Sequence, residues 1–99
     1  MNIFLCCAAG MSTSMVVNNM RKVAAEKNID VVIEAYSISE FEDMLPLNDI
    51  CMVAPQVSYK FKDFNKRCEE LGKKCYKIEM KAYGMLNGES ILNQALSTI

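Results

Sequence analysis

Short apolar runs alternate with helix-period segments along the whole chain. Four runs are dense in β-branched and other apolar residues, typical of strands buried on both faces of a sheet, and they lie at 2–6, 31–35, 49–53 and 74–78. Between them, residues 15–27 and 57–71 carry apolar side chains at steps of three and four, typical of helices packed on a sheet. The alternation predicts βαβ units and therefore an α/β fold with a parallel sheet.

Local signals predict where several of these elements begin and end. Ser39 with Glu42 three residues later matches a capping box and predicts a short helix that ends before Pro46. Gly72 follows the 57–71 segment and predicts its end. We expect a loop or single turn over 81–87 and a last helix over 88–97.

Composition excludes several classes of site. The chain has 99 residues, five cysteines and no histidine, so Ser-His-Asp triads, Cys-His dyads and HExxH zinc sites lack their imidazole. Eleven basic and twelve acidic residues give a net charge of -1, which does not favour a nucleic-acid partner. The length predicts a single domain over residues 1–99.

The cysteines are an odd number without a CxxC pair, which predicts neither a disulfide framework nor a zinc ribbon. The first residues lack the charged segment of a signal peptide, and no stretch approaches the roughly 20 apolar residues of a membrane span. We therefore expect a reduced, cytosolic protein without a metal site. Four of the cysteines are predicted to be small core residues: Cys6, Cys51, Cys68 and Cys75.

Cys7 is the exception, because it lies where the first strand ends and the first helix is about to begin. The residues that follow it are small, and Gly10 can adopt positive φ without steric cost. Successive backbone N–H groups there can form an anion-binding nest that the first turn of the helix completes, with hydroxyls from Ser12, Thr13 and Ser14. Such donors favour a thiolate, so the segment predicts a nucleophilic thiol with a phosphate cradle.

The segment Leu5–Ser14, with the sequence LCCAAGMSTS, resembles the active-site loop of the IIB component of the phosphoenolpyruvate-dependent sugar phosphotransferase system, lactose/cellobiose type. Residues 54–59 are similar to the second signature of that family, and Tyr83-Gly84 with Asn87-Gly88 resembles its C-terminal segment. The resemblance spans essentially the whole chain and implies a four-stranded parallel sheet with helices on both faces. It also implies a phosphatase-like active-site loop after the first strand, in a single IIB domain over 1–99.

The resemblance further implies a phosphoryl relay. Cys7, not Cys6, would accept phosphate from a phosphohistidine on a IIA partner and pass it to a sugar at the membrane-embedded IIC component. The sugar would be a β-linked disaccharide such as cellobiose, chitobiose or lactose. The implied phosphate-binding loop consists of Ala8, Ala9, Gly10, Met11, Ser12, Thr13 and Ser14, and the implied rim of the site of Pro55, Gln56 and Tyr83.

The same resemblance implies no cofactor and no metal. It places the protein in the cytoplasm, peripheral to the inner face of the membrane through IIC, without inserting into the membrane itself. Met11, Pro55, Tyr83 and Met85 are candidates for an apolar docking patch around Cys7, since flexible Met side chains suit a surface that meets two partners in turn.

Three other functions stay open on the residues alone. A low-molecular-weight tyrosine phosphatase has a related Cys-x5-Arg loop, but Thr13 holds the arginine position here, and Asp30, Asp43, Asp49 and Asp63 all lie outside the loop after the fourth strand. A thiol redox protein would use the adjacent Cys6 and Cys7, although strand alternation directs their side chains to opposite faces. The remaining alternative is a binding domain without chemistry.

Overall fold

The computed structural model describes residues 1–8 and 13–97. Its four strands are all parallel and are ordered β2-β1-β3-β4 across the sheet. The strands are β1 (Asn2–Cys7), β2 (Val32–Ser37), β3 (Ile50–Val53) and β4 (Lys74–Lys77). β1 lies between β2 and β3, which explains why every residue from Ile3 to Cys7 is buried. The predicted α/β fold with a four-stranded parallel sheet is confirmed.

Within the described residues, five α-helices accompany the sheet, joined in places by short 3₁₀ turns. The helices are α1 (Ser14–Glu26), α2 (Phe41–Met44), α3 (Phe61–Glu70), α4 (Met80–Gly84) and α5 (Gly88–Leu96). Residues 38–40, 45–47 and 55–60 form the 3₁₀ turns. Asn28 and Gly72 adopt positive φ, at 57° and 70°, directly after α1 and α3, as expected where a helix ends in a left-handed residue. None of the helices in the described ranges is long and apolar enough to cross a membrane.

The helices cover both faces of the sheet. α1 and α5 pack against each other on one face, where the Asn19 side-chain amide donates to the carbonyl of Leu86 at 2.8 Å, just before α5. On the other face the rings of Phe41 in α2 and Phe64 in α3 stack with centroids 3.8 Å apart, and Phe41 also contacts Phe4 of β1. Successive residues of β1 therefore point alternately toward α2 and α3 or toward α1.

One local prediction was wrong. Glu40, not Glu42, closes the turn after β2, since its carboxylate accepts the backbone N–H of Ser37 at 3.0 Å. Glu42 instead forms an ion pair with Arg67 of α3, with 3.0 Å between oxygen and nitrogen. The loop or single turn expected over 81–87 agrees with the structure, where the short helix α4 buries Ala82 and Tyr83 and residues 85–87 are not helical.

Candidate functional site

Cys7 is the last residue of the central strand β1 and is completely buried. In open parallel sheets, ligands bind beyond the carboxyl ends of the strands, near the point where the strand order reverses. That point lies between β1 and β3 here, because β2 and β3 flank β1 on opposite sides. The fold thus places the predicted nucleophile at the edge of the sheet where a ligand is expected.

Thr13 connects this cysteine to the first helix. Its hydroxyl donates a hydrogen bond to the sulfur of Cys7, with 3.4 Å between Oγ1 and Sγ, and both residues are fully buried. The carbonyl of Thr13 accepts the N–H of Val17 at 2.9 Å, which is the first helical hydrogen bond of this segment. The sulfur therefore lies one hydrogen bond away from the N-terminus of α1.

This geometry favours a negatively charged sulfur for two reasons. A hydroxyl that donates to sulfur stabilises the thiolate over the thiol. The N-terminus of a 13-residue helix adds partial positive charge from N–H groups that have no partner within the helix. The chain has no histidine, so no imidazole of this chain can act as a base toward Cys7.

The predicted phosphate-binding loop is only partly described. Ala8 follows β1 directly and is exposed, Thr13 is buried against Cys7, and Ser14 is exposed as the first residue of α1. Ala9, Gly10, Met11 and Ser12 lie outside the described residues. The ends of the loop thus converge on Cys7, and their convergence is set by β1 and α1.

The second predicted segment follows β3, the neighbour of β1. The N–H of Ala54 donates to the carbonyl of Cys6 at 2.9 Å, which holds the end of β3 beside the end of β1. Pro55 is half-buried and Gln56 is exposed, and both belong to the 3₁₀ turn that precedes α3. These two residues therefore occupy the edge of the sheet at which Cys7 lies.

Tyr83 is the third residue implied for the rim of the site. Its side chain is buried on α4, and its hydroxyl has no hydrogen-bond partner among the described residues. Met85, two residues later, is 67% exposed. Of the four candidates for the docking patch, Met85 is exposed, Tyr83 is excluded by burial, Pro55 is half-buried and Met11 lies outside the described residues.

One acid at this edge was missed by the sequence analysis. Glu79 lies two residues after β4, immediately before α4, and is exposed. A glutamate can protonate a leaving group as an aspartate does. Its position directly after a strand was the signal that could have found it.

The other cysteines lie on the opposite face of the sheet. The sulfur of Cys6 is 3.9 Å from that of Cys51, on the side where α3 packs, whereas Cys7 bonds to Thr13 on the α1 side. This confirms that the two adjacent side chains diverge. Cys51, Cys68 and Cys75 form a second group whose sulfurs all lie within 4.8 Å of one another, a grouping that the sequence did not reveal.

A cavity of about 180 Å³ lies between α1 and β2, away from these thiols. Ser14, Arg21 and Glu34 contribute to its walls, and the last two form an ion pair of 2.9 Å. Arg21 also donates to the carbonyl of Ile33 at 2.8 Å. The two charged groups of this cavity are thus already paired with each other, and Cys7 does not line it.

Comparison with known proteins gives a consistent result. The family profile described as "PTS system, Lactose/Cellobiose specific IIB subunit" matches residues 2–94. The chain is 39% identical over 98 residues to the galactose-specific EIIB component of Lactococcus lactis subsp. cremoris, covering 94% of this chain and 91% of that protein. It is 38% identical to the cellobiose-specific EIIB component of Lactococcus lactis subsp. lactis, with the same coverage of both chains.

Solved structures agree with the sequence relatives. The solution structure of a cellobiose-specific phosphotransferase IIB component from Borrelia burgdorferi superposes with a TM-score of 0.82 at 36% identity, covering 98% of this chain and 89% of that one. The lactose-specific IIB domain from Streptococcus pneumoniae shares the fold, with a TM-score of 0.85 at 18% identity and coverage of 98% and 95%.

Proposed function

Because this chain belongs to the lactose/cellobiose-specific IIB family of the sugar phosphotransferase system, we propose that Cys7 is the residue that carries the phosphoryl group. Components of this family act as sugar phosphotransferases. The observation that supports Cys7 is the hydrogen bond from the Thr13 hydroxyl to its sulfur, 3.4 Å long, at the N-terminus of α1. Of the five cysteines, Cys7 is the one that the fold places at the carboxyl end of the sheet beside a helix N-terminus.

The proposed relay has two steps. In the first, the Cys7 thiolate attacks the phosphorus of a phosphohistidine on a IIA protein, so the N–P bond breaks while an S–P bond forms. In the second, a hydroxyl of the sugar held by IIC attacks the same phosphorus, so the S–P bond breaks, an O–P bond forms and the hydroxyl proton leaves. The thiolate is regenerated, and its stabilisation by Thr13 and α1 makes it a competent leaving group.

The phosphate in the intermediate would be held by hydrogen-bond donors rather than by a cation. The exposed helix N-terminus and the segment Ala8–Ser14 supply backbone N–H groups and hydroxyls. Thr13 occupies the position where a phosphatase has the arginine that stabilises the transition state of hydrolysis. A single hydroxyl there supports transfer to a partner over loss of phosphate to water.

The proposed partners are a IIA phosphodonor and a membrane-embedded IIC transporter, with the protein acting at the cytoplasmic face. The IIC partner is supported by a relative whose name, EIICB, joins the IIC and IIB components in one protein. This lactose-specific EIICB component of Lactococcus lactis subsp. lactis is 34% identical to the chain over 82 residues, which are 14% of its length. The similar proteins carry galactose-, cellobiose- and lactose-specific names. Cellobiose and lactose are β-linked disaccharides whereas galactose is a monosaccharide, so the cellobiose and lactose names are the basis on which we propose a β-linked disaccharide as the substrate class, with residues 1–99 acting as one IIB domain.

Transfer from a phosphorylated IIA protein of this family tests the assignment directly. The chain is incubated with the donor, and the phosphorylated residue is mapped by mass spectrometry under conditions that preserve phosphocysteine. We expect the label on Cys7 and its loss in Cys7→Ser, whereas the matched variant Cys6→Ser accepts it normally. A label on Cys6, or transfer that survives Cys7→Ser, would show the assignment to be wrong.

Two simpler measurements address the alternatives. Hydrolysis of p-nitrophenyl phosphate at the rate of a tyrosine phosphatase would favour the hydrolase, with Glu79 as the first acid to replace. Thiol titration after exposure to air separates a relay from a redox protein, since a relay retains all five thiols. Loss of two thiols on oxidation, with a link between Cys6 and Cys7, would support the redox protein instead.

A further inference from the structure

Three thiols converge in the core on the face of the sheet opposite Cys7. Cys51 on β3, Cys68 on α3 and Cys75 on β4 have sulfurs within 4.8 Å of one another. Cys51 and Cys68 are fully buried and Cys75 is 7% exposed, so bulk water is excluded from the group except beside Cys75. We call these three residues the thiol cluster.

Regular secondary structure holds each member of the thiol cluster. Cys51 and Cys75 are directly paired in the register of β3 and β4. The carbonyl of Cys68 accepts two backbone N–H groups where α3 ends, from Leu71 at 3.0 Å and Lys73 at 2.8 Å. Sites built on strands and helices are positioned more accurately than sites on loops. The three sulfurs are therefore brought together by the backbone of β3, α3 and β4.

Two cationic residues flank the cluster. Arg67 directly precedes Cys68 in α3, and the backbone of Lys73 is hydrogen-bonded to the carbonyl of Cys68. A positive ion bound by the three sulfurs would take the place of their protons.

We propose that the thiol cluster of Cys51, Cys68 and Cys75 binds a single Cu(I) ion in three-coordinate geometry. A donor set made only of sulfur selects soft metal ions and disfavours Mg²⁺, Ca²⁺ and Mn²⁺. Structural Zn²⁺ requires four ligands, and the sulfurs of the described residues that lie within mutual reach number three.

Charge and protons balance in the proposed step. Three thiols that coordinate Cu(I) release three protons to solvent. The resulting site carries two negative charges, and the cationic residues Arg67 and Lys73, next to Cys68 in the chain and at the end of α3, oppose them. Cys75 is 7% exposed and is the most accessible member of the cluster.

This site is independent of the proposed phosphoryl relay. Cys7 faces Thr13 and α1, whereas the thiol cluster lies on the α3 side with Cys6 beside it, 3.9 Å from Cys51. Cys6 is not part of the mutually close group, which makes it the matched control for a ligand. Metal binding and phosphoryl transfer can therefore be tested separately, and failure of one says nothing about the other.

Competition with a chromogenic Cu(I) chelator tests the proposal on the full, reduced, metal-free chain in the absence of oxygen. We expect the wild-type chain to remove one Cu(I) ion per chain from the chelator. The affinity for Cu(I) should fall at least about tenfold in Cys68→Ala and in Cys75→Ala. Cys6→Ala and Cys7→Ser should bind as the wild type does. X-ray absorption of the wild-type complex should show a shell of three sulfurs, a measurement that does not depend on whether a variant folds.

Several results would overturn the site. These are failure to withdraw Cu(I) from the chelator, binding that survives Cys68→Ala but is lost in Cys7→Ser, and a shell of two sulfurs. Loss of binding in Cys6→Ala would equally reject the cluster as assigned. Displacement of Cu(I) by equimolar Zn²⁺ would reject the choice of ion.

Discussion

Replacing Thr13 with valine tests whether one hydroxyl activates the proposed nucleophile. Valine has nearly the shape of threonine and removes only the donor whose oxygen lies 3.4 Å from the Cys7 sulfur. A hydrogen bond to a charged group contributes about 1.5–3 kcal/mol, and the length of this one favours the lower end. A loss of about 1.4 kcal/mol corresponds to a tenfold change, so the thiolate population at neutral pH and the transfer rate should fall about tenfold.

Rapid-quench measurement of transfer from a phosphorylated IIA protein gives that rate. Thr13→Ser keeps the hydroxyl and should transfer at close to the wild-type rate. The Thr13 side chain makes no capping hydrogen bond to α1, and thermal unfolding of both variants separates an effect on chemistry from an effect on folding. A valine variant that transfers phosphate as fast as the wild type would refute the role of Thr13.

The remaining predictions concern stability. Gly88→Ala should lower the free energy of unfolding by about 2–3 kcal/mol in urea titration, because the added Cβ would lie 2.6 Å from backbone atoms of α1. The added Cβ of Gly84→Ala meets nothing within 4 Å, so that variant should be neutral or slightly stabilising. Lys73→Met should lower the free energy of unfolding by about 2–3 kcal/mol, because the Lys73 ammonium donates to three backbone carbonyls in the segment before β3. Lys74 is exposed, so Lys74→Met should change the free energy of unfolding little, and equal losses in the two variants would contradict this prediction. In the metal-free chain the pKa of Cys51 is raised, so its thiol ionises in the unfolded state at a lower pH than in the folded state. The contribution of this thiol to the free energy of unfolding is therefore complete below the ordinary thiol pKa of 9.0 and is lost as the pH rises above that value. Above that pH, the free energy of unfolding should fall by up to about 1.4 kcal/mol more per pH unit in the wild type than in Cys51→Ala. Parallel pH profiles of the two proteins would contradict this prediction.

The main elements of the fold could be predicted because their signals are local. The β-branched runs and the apolar stripe of α3 depend on residues a few positions apart, and the structure places strands and helices at nearly the predicted ranges. Val57, Phe64 and Cys68 are buried as that stripe requires, although Leu71 at its end is 42% exposed.

Local signals failed where the same pattern occurs twice. Ser and Glu lie three residues apart both at 37 and 40 and at 39 and 42, so the sequence offers two capping boxes. The choice between them was made by tertiary contacts, since Glu42 pairs with Arg67 on α3 and leaves Glu40 to accept the N–H of Ser37. For 81–87 the sequence left a loop and a single turn open, because five residues are too few to show a helical period, and burial of Ala82 and Tyr83 stabilises the short helix α4.

For the candidate site, the sequence by itself determined that Cys7 follows an apolar strand and precedes a helix. Small residues and hydroxyls after it were enough to predict an anion cradle, because a strand, a loop and a helix N-terminus are consecutive in the chain. Only the tertiary structure showed that the hydroxyl of Thr13 reaches the sulfur.

The remaining cysteines show where sequence reasoning ends. Their types predicted burial, which the structure confirms. Their grouping depends on which strands pair and on where α3 packs against them, since Cys51, Cys68 and Cys75 come from three different elements. Distance along the chain carries no information about the distance between sulfurs until those long-range contacts form, so the thiol cluster is a property of the fold rather than of any motif.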